Sequence, residues 1–300
     1  MIEIDRFNWN LARLFFGITS FWAILGIVCN FLLFLTTVKT RSMRATCNIL
    51  IAVCAIGDIF HEFGTLAQFP LLFDVYLEID SDLCDFIMFL PEMGIAVGCA
   101  CILSVGLDRM ISVIFSTQYR TFNKFYYHLV CFIILLLLET VLFQFLASLI
   151  SGSCVYVACL MVVSYEERGI TEFAHATLLI NIISALVYFI TWLGLRSQAA
   201  SNTMKRIVKA LFIIVTVDVC GWIVTPGMFR FFQSLGFNAQ EMFAWGFFSK
   251  IFINIALSVK IFIYYFTRHF FDPRITISTI SSSEYRSAIK AFLFKQKSVS

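Results

Sequence analysis

Six ionisable side chains stand inside long apolar runs of the sequence: Asp58, Glu92, Glu139, Asp218, Lys250 and Lys260. A charge in such surroundings is expensive and usually faces a helix-bundle interior or a partner of opposite sign, so these residues are the first candidates for binding or switching. Glu139 has no partner that can be named. Catalytic patterns are absent: there is no H-E-x-x-H or G-x-S-x-G arrangement, and His61, His128, His175 and His269 lie on different segments. Cys29, Cys47, Cys54, Cys99, Cys101, Cys131 and Cys220 sit in or beside the apolar runs without metal-ligand spacing and read as packing residues. No enzyme, cofactor or metal is expected.

The elements that must carry these residues follow from composition. Of 300 residues 60% are hydrophobic and only 14% charged, with 35 Phe, 4 Pro and a mean hydropathy of +0.88. A water-soluble domain cannot hide that much apolar surface. The net charge of +3 and ten scattered cysteines also exclude a disordered chain, a nucleic-acid binder and a disulfide-rich secreted module. Since about 20 apolar residues cross a bilayer as a helix, seven spans are expected, over about 14–38, 48–73, 85–107, 127–150, 173–195, 207–231 and 242–266. Short loops make residues 1–300 a single all-α membrane domain, a seven-transmembrane helix bundle. The acidic start (Glu3, Asp5) is not a basic leader, so the first span is expected to be retained.

Lys and Arg concentrate on the cytoplasmic side of short-loop membrane proteins. Here one set of loops plus the tail holds 16 of them and the other set only Arg6, Arg13, Arg168 and Arg230. The second side collects acids instead, from Asp74 and Glu78 to Glu241. The expected placement is therefore the plasma membrane, with the N-terminus extracellular and the C-terminus cytoplasmic. Tyr285, Ala288, Ile289, Phe292 and Leu293 recur at helical steps among Arg286, Lys290, Lys295 and Lys297, which predicts an amphipathic helix over 282–297 on the inner leaflet. Ser281 and Glu284 have capping-box spacing at its start.

Several features fall into one register. Cys84 opens the third span and Asp108-Arg109-Met110 closes it, 25 residues from Cys to Arg. Asp58 follows Ala55-Ile56-Gly57 in the second span, and Gly26 and Asn30 lie in the first. Together these resemble rhodopsin-like G-protein-coupled receptors. Thr46-Cys47-Asn48-Ile49-Leu50, Gly106-Leu107-Asp108-Arg109-Met110-Ile111, Gly221-Trp222, Tyr264-Tyr265 and Ser282-Ser283-Glu284-Tyr285-Arg286 look most like the nematode serpentine chemoreceptors of class sx. The likeness covers nearly the whole chain. It departs where the superfamily's N-P-x-x-Y becomes Lys260-Ile261-Phe262-Ile263-Tyr264, and where 16 residues, Phe266 through Ser281, separate two tail motifs that about two separate in relatives. That surplus reads as a gene-model insertion or a true loop.

The resemblance implies a chemoreceptor that binds a small-molecule or peptide ligand among its helices and activates a heterotrimeric G protein. Asp108, Arg109 and Tyr264 would form the coupling end. Cys84 would be bridged to the second outer loop through Cys154, or alternatively Cys159. Neighbouring positions of the second and seventh helices would pair Lys260 with Asp58, and further with Asp218, in a polar network that includes Asn30; the alternative is a Lys260 that snorkels to the inner interface. In the outer half, Glu92, Met93, Trp245, Phe248, Lys250 and Asn254 would line the pocket. Glu92 or Lys250 anchors a charged ligand there, or the two pair with each other. Trp222 is a relay or a packing residue. A transporter, a ligand-gated channel and a decayed, non-signalling receptor are the rival readings.

Overall fold

The computed structural model describes residues 9–39, 46–69, 79–115, 119, 133, 156–157, 167–197, 202–237 and 239–263. Helices α1 (Trp9–Lys39), α2 (Thr46–Leu66) and α3 (Ser81–Ile114) are followed by α4 (Glu167–Ser197), α5 (Asn202–Ser234) and α6 (Ala239–Ser258). Strand β1 (Ile79–Asp80) precedes α3 and pairs antiparallel with β2 (Tyr156–Val157). After one irregular residue, α6 continues to Ile263 through bonds from Val259 N–H to Ile255 O and from Ile263 N–H to Val259 O. The expected spans at 127–150 and the tail helix at 282–297 lie outside the described residues.

All six helices are long and apolar enough to cross a membrane. Lipid offers no hydrogen-bonding partner to a backbone, so a spanning segment must satisfy its own N–H and C=O groups, which a helix does. The hydroxyls of Thr36, Thr37, Thr191 and Ser184 follow the same logic by donating to carbonyls four residues earlier. At the end of α5, Gly236 takes a positive φ of 76°, a left-handed turn that glycine adopts without strain.

The helices pack in a closed ring, α1 on α2, α2 on α3, α3 on α4, α4 on α5, α5 on α6, and α6 back on α1. Small residues set the closest approach: a Cβ on Gly94 would stand 2.6 Å from the His61 backbone N, so α2 and α3 touch backbone to backbone. Gly106 likewise makes room for the Tyr188 ring, whose hydroxyl donates to the Ile102 carbonyl. The distribution of side chains is that of a membrane bundle. Phe21, Phe31, Phe86, Leu179, Leu186 and Ile190 face outward, whereas Asn30, Asp58, Glu62, Asn181, Asp218, Asn254 and Lys260 are buried. One difference from the expected spans concerns α3, which runs past Leu107 to Ile114, so Asp108 and Arg109 lie a turn inside the helix instead of at its end.

Candidate functional site

The buried charges of the bundle meet in its middle. Lys260 on α6 places Nζ 2.8 Å from Asp58 Oδ2 and 3.0 Å from Oδ1 on α2, and 3.2 Å from Asp218 Oδ2 on α5. Its side chain is about 5% exposed, so it does not snorkel to the interface. Asp58 accepts two bonds from the ammonium, while Asp218 approaches without hydrogen-bond alignment. One ammonium thus holds three helices through two carboxylates. Asn30 on α1 donates to the Leu257 carbonyl one turn before Lys260.

Glu62 is a fourth charge-bearing residue here that sequence reasoning missed. It is fully buried one turn beyond Asp58, and among the described residues neither carboxyl oxygen has a well-aligned hydrogen bond; Asn30 and Ser258 lie nearby. Gly26 makes the room, since a Cβ there would overlap the carboxyl group. The signal was present in the i, i+4 spacing from Asp58, which puts both acids on one helix face. A cavity of about 30 Å³ beside the triad is bounded by Leu33, Cys54, Asp58, Tyr188 and Lys260. It admits about one water molecule, too little space for an organic ligand.

At the other end of α2, Lys250 Nζ donates to Gln68 Oε1 at 3.1 Å and stands 5.9 Å from the Phe247 ring. Asn254, one turn along α6, donates to Thr65 Oγ1 and to the Thr19 carbonyl, and among the described residues its Oδ1 has no partner. Gln68, Thr65 and Thr19 are further members of this cluster that sequence reasoning did not single out. Glu92 on α3 is buried, and the hydrogen bond of Lys250 goes to Gln68. Met93 beside it is half-buried. Trp245 and Phe248 belong to a different face of α6, meeting Phe15 of α1 and Phe232 of α5 in tilted and edge-on contacts at ring separations of 4.6–6.3 Å. At 100° per residue they lie roughly opposite Lys250 around the helix.

Trp222 on α5 packs against both Met88, Ile95 and Cys99 of α3 and Ile253, Ala256 and Leu257 of α6. It meets His61 edge-on at 5.9 Å. Pro226 has no N–H for the Trp222 carbonyl four residues earlier, which weakens α5 at this point.

Near the end of α3, Arg109 Nη2 lies 2.6 Å from Asp108 Oδ2, and the Tyr119 hydroxyl donates to Asp108 Oδ1 at 2.6 Å. Asp108 is fully buried and Arg109 largely so. The Val113, Leu195 and Val208 cluster holds α3, α4 and α5 together there. Tyr264 lies outside the described residues. Cys84 belongs to the first turn of α3; its sulfur, Cys154 and Cys159 lie outside the described residues. Strand pairing sets Tyr156 opposite Asp80 and Val157 opposite Ile79.

An apolar exterior, a polar interior shared by several helices and an Asp-Arg pair in the last turns of α3 mark a multi-pass membrane bundle. The chain belongs to the serpentine type 7TM GPCR chemoreceptor Srsx family, whose model matches residues 23–293. Its fold is accordingly the all-α seven-transmembrane bundle, and its family is a class of receptors, not of enzymes. No curated protein matches the chain.

Proposed function

We propose that this chain is a chemoreceptor of the plasma membrane that binds an extracellular ligand among the outer halves of its helices and activates a heterotrimeric G protein inside. Residues 1–300 form one receptor unit, with the N-terminus outside, as the Lys and Arg asymmetry of the loops supports. The observation that carries the reading is the coupling end. Arg109 is held by a buried Asp108, and Asp108 is held in turn by Tyr119. The Arg109–Asp108 ion pair, at 2.6 Å, keeps the guanidinium against its own helix. Releasing it toward a partner, with Tyr264 at the same end, is a two-state change that a ligand biases by binding one state better.

The ligand acts on this equilibrium through the residues between the two ends. Trp222 touches both α3 and α6 above the Lys260 triad, and His61 is within electrostatic reach of both Lys250 and Lys260. Lys260 takes the place of a bound cation between Asp58 and Asp218. On the outer side, a Cys84–Cys154 bridge ties the second outer loop to α3, with the sequence Cys154-Val155-Tyr156-Val157-Ala158 favouring Cys154 over Cys159. The test is a cell-based G-protein assay against a chemical panel, run in parallel on Arg109→Ala at matched surface level. Signal lost in the variant supports the reading, and signal equal in both overturns it.

A further inference from the structure

We infer that the ligand is an organic anion, an acid with an apolar body, whose negative group neutralises Lys250. This rests on the receptor reading above and names the ligand class of its outer site. The structure contains two buried lysines on α6 and treats them oppositely. Lys260 has two carboxylates within 3.2 Å. Lys250 is 8% exposed, and among the described residues its only hydrogen bond goes to the neutral amide oxygen of Gln68. A buried charge is normally compensated, because the loss of hydration is otherwise unrecovered. Among the described residues the bundle supplies that compensation at Lys260, whereas beside Lys250 it places a neutral amide.

The surroundings of Lys250 specify more than charge. An ammonium has three N–H donors, and Gln68 takes one of them. Two remain for an incoming carboxylate. Asn254 Oδ1, buried and unused one turn away on the same face, offers a further acceptor for a hydroxyl or amide on the ligand. The wall is aromatic: Phe247 lies beside the ammonium, Phe16 meets Phe247 edge-on at 5.3 Å, and Phe69 lies 6.1 Å from Phe16. Rings favour an organic body over a hydrated inorganic ion. The 11 residues from Ala239 to Lys250 place the ammonium roughly 16 Å along α6, inside the bundle and away from the helix end.

The experiment measures thermal unfolding of the purified full chain in lipid nanodiscs. The probes are octanoate and 3-phenylpropionate, with their methyl esters, the corresponding amines and sodium chloride as comparisons. The expected result is a rise in Tm with the acids and none with esters or amines. Lys250→Gln should weaken acid binding at least tenfold, and Lys250→Arg should retain it. Gln68→Glu keeps the fold while setting a carboxylate against the Lys250 ammonium, so it should raise the ligand-free Tm and abolish the response to acids. No shift with either acid, an equal shift with the esters, or an undiminished acid response in Gln68→Glu overturns the inference. A shift given by chloride alone overturns the organic part of it. Because binding is read without a G protein, acid binding with no signalling counts against the receptor reading, and signalling without acid binding counts against this one.

Discussion

Removing the Lys260 ammonium should be among the most destabilising single changes in the bundle. At separations of 2.8 and 3.2 Å and an effective dielectric of about 20, the two ion pairs are each worth about 5–6 kcal/mol of Coulomb attraction before desolvation is charged against them. Most of that gain offsets the burial of the three groups, so the net stabilisation by the intact triad is small. Lys260→Met changes the balance by leaving Asp58 and Asp218 facing each other at near-complete burial without a cation. Breaking a buried pair from one side costs about 3–5 kcal/mol. The neutral triple variant Asp58→Asn, Asp218→Asn, Lys260→Met removes the orphaned charges and should recover to within about 2 kcal/mol of the wild type. Thermal unfolding in nanodiscs and the fraction of chain reaching the cell surface read both variants. A single variant as stable as the wild type, or a triple variant no better than the single one, would refute the view that the ammonium is there to compensate two carboxylates.

Other outcomes follow from separate contacts. Gly26→Ala should cost about 1–3 kcal/mol by forcing a methyl group into the Glu62 carboxyl group, and Glu62→Ala in the same chain should recover most of it; a double-mutant cycle in thermal unfolding checks this. Tyr119→Phe removes the hydroxyl that holds Asp108, a contact worth about 1.5–3 kcal/mol to a charged acceptor, so basal G-protein activity should rise several-fold at unchanged surface level. Cys84→Ser and Cys154→Ser should each lower surface expression, with no further loss when combined, whereas Cys159→Ser should leave it unchanged; flow cytometry of a tagged chain reads all four variants.

Sequence alone takes the account a long way where the signal is chemical and less far where it depends on which side of a helix a residue occupies. Asp58, Asp218 and Lys260 stand out because charges in apolar runs are few and must be accommodated. Glu62 escapes notice beside His61 and Phe63 near the polar end of its run, although its spacing from Asp58 places it on the same face. Trp245 and Phe248 show the same dependence on helix face. Their residue types suit a pocket, yet five and two residues from Lys250 turn them toward α1 and α5, where Phe15 and Phe232 meet them. α3 reaches beyond the span expected for it, because Asp108 and Arg109 look like an interface boundary in a linear reading. In the bundle Asp108 is buried by Tyr119 and the helix continues to Ile114.

The most direct measurement of the central claim is nucleotide exchange by heterotrimeric G proteins on vesicles carrying the purified chain, with Tyr119→Phe and Arg109→Ala prepared in the same way. The account predicts exchange above that of empty vesicles, an increase with Tyr119→Phe, and a return to the empty-vesicle rate with Arg109→Ala. Exchange at the empty-vesicle rate for the wild type and Tyr119→Phe alike, or an undiminished rate in Arg109→Ala, would contradict it.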